Sequence, residues 1–344
     1  MRKFDFVIGN PAYQGEADNN GRKPPVYHYF MEAAYKISDT VELITPARFL
    51  FEAGQTPKEW NQKMLNDEHF RVLMYEPDAE KIFSNTEIKG GVAISIRDAN
   101  KSYGEIGIFT AYPKLNDILH KVRFVSNFHK ECLDSIMASQ GFYKFNDVVF
   151  TDFPEILEVT GKGTKNKITS RIIDLLPEVF TDNPADDTSS LQLLGRVNNT
   201  RVFKFIKRKY VSENDYIDSY NVILPKASGA GTFGEILSSP SVLTPGQVSS
   251  DTFISIGTFG DKSTADNCAK YIKTKFVRTL MGVLKVTQDV TPDKFKYVPL
   301  QDFTEKSDID WSKSVTEIDQ QLYKKYNLTQ EEIDFIETHV KEMV

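Results

Sequence analysis

Short apolar runs alternating with polar stretches set the first part of the chain apart from the rest. Phe4, Phe6, Val7 and Ile8 form a run of the kind a buried parallel strand shows, and a polar loop from Gln14 to Lys23 follows it. Apolar positions then recur at helical spacing through Tyr27, Phe30, Ala34 and Ile37. Val41 to Ile44 reads as a second strand, closed by the turn Thr45-Pro46 and followed by a segment rich in helix formers. A hairpin ending near Arg97 and a helical stretch through Leu115 and Leu119 complete this part. Strands alternating with helices predict an α/β fold built on a doubly wound sheet.

Past residue 125 the texture becomes irregular and rich in aromatics, which divides the chain into an α/β domain, 1–125, and a mixed α+β domain, 126–344. Strands are expected at Tyr143 to Phe150, Leu191 to Val211 and Ser219 to Leu224. Ala265, Ala269, Ile272, Phe276 and Leu280 share one face of a helix running to about Val283. Thr329 with Glu332 three residues on forms a capping box ahead of Ile333, Ile336 and Val340, so the chain is expected to end on a helix.

With 344 residues, 40% of them hydrophobic, the chain is long enough for two cores. Cys132 and Cys268 have no partners at metal-ligand spacing, so no metal site is expected and a reducing cytoplasm is. The apolar stretch after Arg2 and Lys3 is too short for a signal peptide, and no run has membrane length. A net charge of -6 taken alone argues against nucleic acid. Local patches change that picture. Arg196, Arg201, Lys204, Lys207, Arg208 and Lys209 occur in a segment without an acidic residue, interleaved with Val202, Phe203, Phe205 and Ile206. Such alternation suits a strand with one face in a core and the other toward phosphate. Lys162, Lys165 and Lys167 form a second cluster.

The candidate chemistry lies at the end of the first apolar run, where Gly9 leads into Asn10, Pro11, Ala12 and Tyr13. Open α/β sheets bind ligands at the carboxyl ends of their strands. An Asn side-chain oxygen and the backbone carbonyl at Pro11 can both accept from an exocyclic NH2, which localises its lone pair and makes it nucleophilic. Tyr13 can stack on the same planar ring, worth about 1–3 kcal/mol for a base. The same residues also suit an ordinary strand-to-loop turn.

"FDFVIGNPAY" (4–13), "ITPARFL" (44–50) and "KIFSNTEIKGGVAISI" (81–96) resemble the adenine-specific DNA methyltransferases of type II restriction-modification systems, including fused endonuclease-methylases. The resemblance implies a partial Rossmann-like methyltransferase sheet, with Asn10, Pro11 and Tyr13 holding a flipped adenine and Phe83 stacking on its other face. Ala12 stands where the family has a second proline. "VILPKASGAGTFGE", "SSDTFISIGTF", "YIKTKFVRTLMGVLK" and "DKFKYVPLQDF" resemble the target-recognition domain of the same enzymes. On that footing the second domain binds double-stranded DNA, through Arg201, Lys204, Lys207, Lys209 and Lys226. The implied methyl donor is S-adenosylmethionine. In the family, strands preceding the Asn-Pro-Pro-Tyr strand build most of its site, and only three residues precede that strand here, so the cofactor site is expected outside this chain, in an amino-terminal segment or a separate chain.

Gly229, Gly231 and Gly234 spell GxGxxG, but Pro225 occupies the acid position and Pro240 and Pro245 cut short the helix a cofactor loop needs. That loop is expected to be a flexible recognition element. Asp78 and Glu80 stand too close together for a nuclease centre. A binding-only specificity subunit and methylation of a protein glutamine amide stay open as alternatives.

Overall fold

The computed structural model describes residues 4–17, 23–52, 55–84, 88, 90–125, 131–160, 165–184, 189–197, 200–285 and 287–343. Its internal contacts divide the chain into two units, Met1–His120 and Lys121–Val344. The protein is mixed α/β with several sheets. Among the described residues no helix is long and apolar enough to cross a membrane.

In the first unit β1 (Phe6–Gly9), α1 (Tyr27–Ile37), β2 (Thr40–Pro46), α2 (Lys58–Leu65), β3 (Phe70–Glu76) and β4 (Val92–Asp98) follow in order, and α3 (Pro113–Val125) runs across the boundary at His120. The four strands form one sheet in the order β1-β2-β4-β3. β1 pairs with β2 in parallel, as the α1 crossover requires, while β4 is antiparallel to both β2 and β3. Gly90 and Gly91 ahead of β4 have φ of 88° and 77°, and a Cβ on Gly91 would stand 2.7 Å from the Pro77 Cα, so the reversal requires glycine.

The two faces of this sheet differ sharply. Val41, Leu43, Phe70 and Ala93 are buried on one face, in a core with Met31 of α1, Phe49, Trp60 and Met64. The other face carries Phe6, 69% exposed, and Ile8, 79% exposed, with half-buried Ile44, Ile94 and Ile96 alongside in register. β1 is also the edge strand. The helical stripe expected through Phe30 is corrected: Tyr27, His28, Met31 and Ala34 are the buried positions of α1, and Phe30 is exposed.

The second unit comprises β5 (Met137–Ala138), α4 (Val148–Asp152), α5 (Ile156–Val159), α6 (Ser170–Leu175), β6 (Ser190–Val197), β7 (Thr200–Lys207), β8 (Tyr220–Pro225), β9 (Ser241–Leu243), β10 (Gln247–Ser249), β11 (Phe253–Phe259), α7 (Lys262–Lys273), α8 (Lys275–Gly282), α9 (Val315–Lys325) and α10 (Gln330–His339). Two sheets run β10-β6-β7 and β5-β11-β8-β9. Three expectations need correction here. Tyr143 to Phe150 is not a strand: Lys144 and Phe145 each make an isolated bridge and Val148 opens a short helix. Leu191 to Val211 is not one strand but the antiparallel pair β6 and β7, ending in a 3-10 turn at Arg208–Tyr210. The helix to Val283 breaks at Thr274, whose hydroxyl caps α8. The Thr329–Glu332 capping box is present, and Ser314–Glu317 forms another at α9.

Candidate active site

β1 and β2 run parallel, so their carboxyl ends lie side by side and carry the loop after Gly9 next to Thr45 and Pro46. Asn10 is exposed, and among the described residues neither its side chain nor the Pro11 carbonyl is engaged in a hydrogen bond. The Tyr13 carbonyl accepts from Val26 N at 3.1 Å and the Pro24 carbonyl from Gly15 N at 2.9 Å, which clips the loop to the start of α1.

Tyr13 packs its ring against the first core, and its hydroxyl is buried without a partner. Burial pushes that phenol up to about 12. The ring therefore stays neutral, and Tyr13 is not equipped to act as a base near neutral pH. Phe83, placed by the turn at Ala79–Lys81, meets Tyr13 with ring centroids 6.4 Å apart at 68°. This is an edge-to-face contact. A base between the two rings needs them near parallel and about 7 Å apart, twice the carbon contact distance, so Phe83 has to turn to admit one.

The three sequence segments quoted above converge. Pro46 pairs with Val92, Ala47 N donates to the Gly91 carbonyl at 3.0 Å, and Phe83 reaches Tyr13. One residue that sequence reading missed stands at the same edge: Thr45 is fully buried at the end of β2 with its hydroxyl unpartnered. Only its position just before Pro46, at a strand end, signals it.

Residues 1–83 match the family described as Eco57I restriction-modification methylase. This bears out the resemblance to adenine-specific methylases for that stretch. An uncharacterized adenine-specific methylase of Mycoplasma pneumoniae is 27% identical over 118 residues, 33% of this chain and 28% of that protein. Two solved structures also align at 10% identity. The type IIG restriction endonuclease BpuSI covers 98% of this chain with 54% of its own, at a TM-score of 0.30. The type IIL restriction-modification enzyme MmeI, solved in complex with DNA, covers 97% with 56% of its own, at a TM-score of 0.33. The chain thus spans about half the length of these two proteins and less of the methylase.

The basic residues expected to meet DNA sort into two groups. Lys204 is paired with Asp182, and Lys209 with Asp152 at 2.7 Å, its ammonium also lying over the Tyr210 ring. Arg208 is held by both Glu213 and Asp218. Arg201 is exposed without an acidic partner among the described residues, exposed Lys207 makes no ion pair but lies in the field of Asp152, and Lys226 is half-buried. The basic side chains do not share one face either, because Lys204 alternates with Arg201 and lies on the side of buried Ile206. Lys162 lies outside the described residues.

The GxGxxG loop is occupied from within. The Glu235 carboxylate accepts from Ala230 N at 2.7 Å and Gly231 N at 2.9 Å and pairs with buried Lys285. Burial alone would raise this carboxyl, yet Lys285 and the two amides hold it below the usual range. The loop is therefore tied down rather than loose, and it does not fit the methyl donor, since its free amides are already spent on an internal anion. No group of three or more His, Cys, Asp or Glu side chains suited to a metal ion occurs among the described residues.

Proposed function

We propose that this chain is the adenine-holding and DNA-recognising part of a restriction-modification methyltransferase that acts on an adenine amine in double-stranded DNA. The observation that carries the reading is the open pair of acceptors, the Asn10 side-chain oxygen and the Pro11 carbonyl, at a strand's carboxyl end beside Tyr13 and Phe83, within a stretch matching a methylase family. An adenine swung out of the duplex stacks on Tyr13, and Phe83 turns to cover its other face. The two acceptors take both amine hydrogens, so the nitrogen lone pair points away from the ring toward the methyl donor. Orientation of this kind is the chain's main catalytic contribution.

The order β1-β2-β4-β3, with β4 alone reversed, supports reading this sheet as part of a doubly wound, Rossmann-like one. S-adenosylmethionine is then bound by residues outside those described, on the bare side of β1. The unbridged cysteines Cys132 and Cys268 fit a cytoplasmic enzyme. Methyl transfer to DNA, measured with the chain joined to or mixed with its cofactor-binding part, tests the site. Asn10→Ala is expected to lose about a hundredfold in turnover or more, and near-normal turnover would overturn the assignment.

The exposed face of the first sheet also favours a second reading, a specificity subunit that docks on a separate catalytic chain. Titration calorimetry with S-adenosylmethionine decides where the donor goes: tight binding by this chain alone refutes a donor site outside it. Filter binding with duplex DNA separates both readings from methylation of a protein amide.

A further inference from the structure

The antiparallel register of β6 and β7 sets Arg196 directly opposite Arg201. Like charges facing each other across a sheet are destabilising, yet both side chains are exposed and neither has an acidic partner among the described residues. This is unusual in its surroundings. The chain has 48 acidic residues to 42 basic ones, and in the same segment Lys204, Arg208 and Lys209 are all neutralised by carboxylates. The end of the hairpin is also held firmly. The Arg201 guanidinium lies 5.5 Å over the Phe253 ring, and Gly195 leaves the space into which Ile173 of α6 packs, where any Cβ would clash.

We propose that Arg196 and Arg201 form a clamp for one backbone phosphate of duplex DNA. An anion between the two guanidiniums, of which that of Arg201 is seated over Phe253, converts their repulsion into two charge-assisted contacts, and the fork geometry of arginine suits a phosphodiester. The clamp rests on the DNA reading given above and adds to it a specific pair, since only the strand register sets Arg196, one of several basic residues in this segment, opposite Arg201. It positions the duplex and carries no sequence information of its own.

The test uses the full chain and a labelled duplex, with affinity measured at 50 and 200 mM salt for the wild type, Arg196→Gln, Arg201→Gln, the double variant and Lys262→Gln as a charge-matched control. Loss of one phosphate contact shrinks the ratio of the two Kd values about three- to fourfold. The expected result is that shrinkage in the double variant, most of it already present in each single variant, and none in the control. Without DNA, Arg196→Gln should melt higher than the wild type, because the opposed charge is gone while the Arg201 contact with Phe253 is kept. A double variant that keeps the wild-type ratio, or an Arg196→Gln variant that melts lower, overturns the clamp while leaving the DNA reading standing. A wild type that shows no salt-sensitive duplex binding overturns the DNA reading and the clamp with it.

Discussion

Tyr13 contributes a ring rather than a hydroxyl. Its phenol is buried, unpartnered and pushed up to about 12, so removing the oxygen alone changes little. Tyr13→Phe is expected to keep binding to a duplex with an unpaired adenine within about threefold, whereas Tyr13→Ala should forfeit stacking worth about 1–3 kcal/mol. Fluorescence of 2-aminopurine at the target position checks both, and equal losses in the two variants would assign the work to the hydroxyl. Gly91 is the backbone counterpart. At φ 77° with the Pro77 backbone against it, Gly91→Ala should destabilise the first unit by about 2 kcal/mol or more in urea unfolding. At this scale the Asn10 to Tyr13 loop was legible because its residue types and its place after an apolar run both point to one chemistry. The pairings of Lys204 and Lys209 were not legible, since their acids lie 22 and 57 residues away and only tertiary folding brings them in.

Helices and strands were legible where periodicity was regular and lost where composition misled. Val148 to Asp152 is apolar and β-branched enough to suggest a strand, yet it folds as a helix against the second core. Asn198-Asn199 is a turn signal in the sequence between two β-rich runs, and the segment expected as one strand is the antiparallel pair β6 and β7. Two elements yield predictions. Asp319 of α9 accepts from Lys275 N and Phe276 N, each at 2.9 Å, and so caps α8 from outside. Asp319→Ala leaves two amides unpaired and should cost about 1–3 kcal/mol, with Asp319→Asn costing less. In α1, His28 is 5% exposed with both ring nitrogens unpartnered, and burial lowers its pKa despite the pull of Glu32. Its folded pKa lies below the unfolded value of about 6.5, so the unfolded chain takes up the proton first and stability falls as pH drops through that value. Urea midpoints at pH 7 and 5.5 should therefore fall further for the wild type than for His28→Phe. An equal fall in both would show that His28 is not the sensor.

For the whole molecule, the residues that match the methylase family occupy a unit whose sheet, among the described residues, has one face packed on a core and the other exposed at β1. Parallel sheets ordinarily have both faces covered, and covering Phe6 and Ile8 is worth about 1.5–3 kcal/mol for each. Replacing both with lysine should leave the urea midpoint nearly unchanged, since little burial is lost, but should abolish productive pairing with a cofactor-binding part. Complementation of methyl transfer measures this, and undiminished activity would remove the face from the interface. The sequence hinted at this through an apolar first strand, but which face lay bare depended on the register between β1 and β2. An edge strand that carries exposed Phe6 and Ile8 is also a template for foreign strands. Handled alone at high concentration, the protein should therefore self-associate in proportion to how long β1 goes uncapped, and the lysine pair should act as gatekeepers that keep it dispersed.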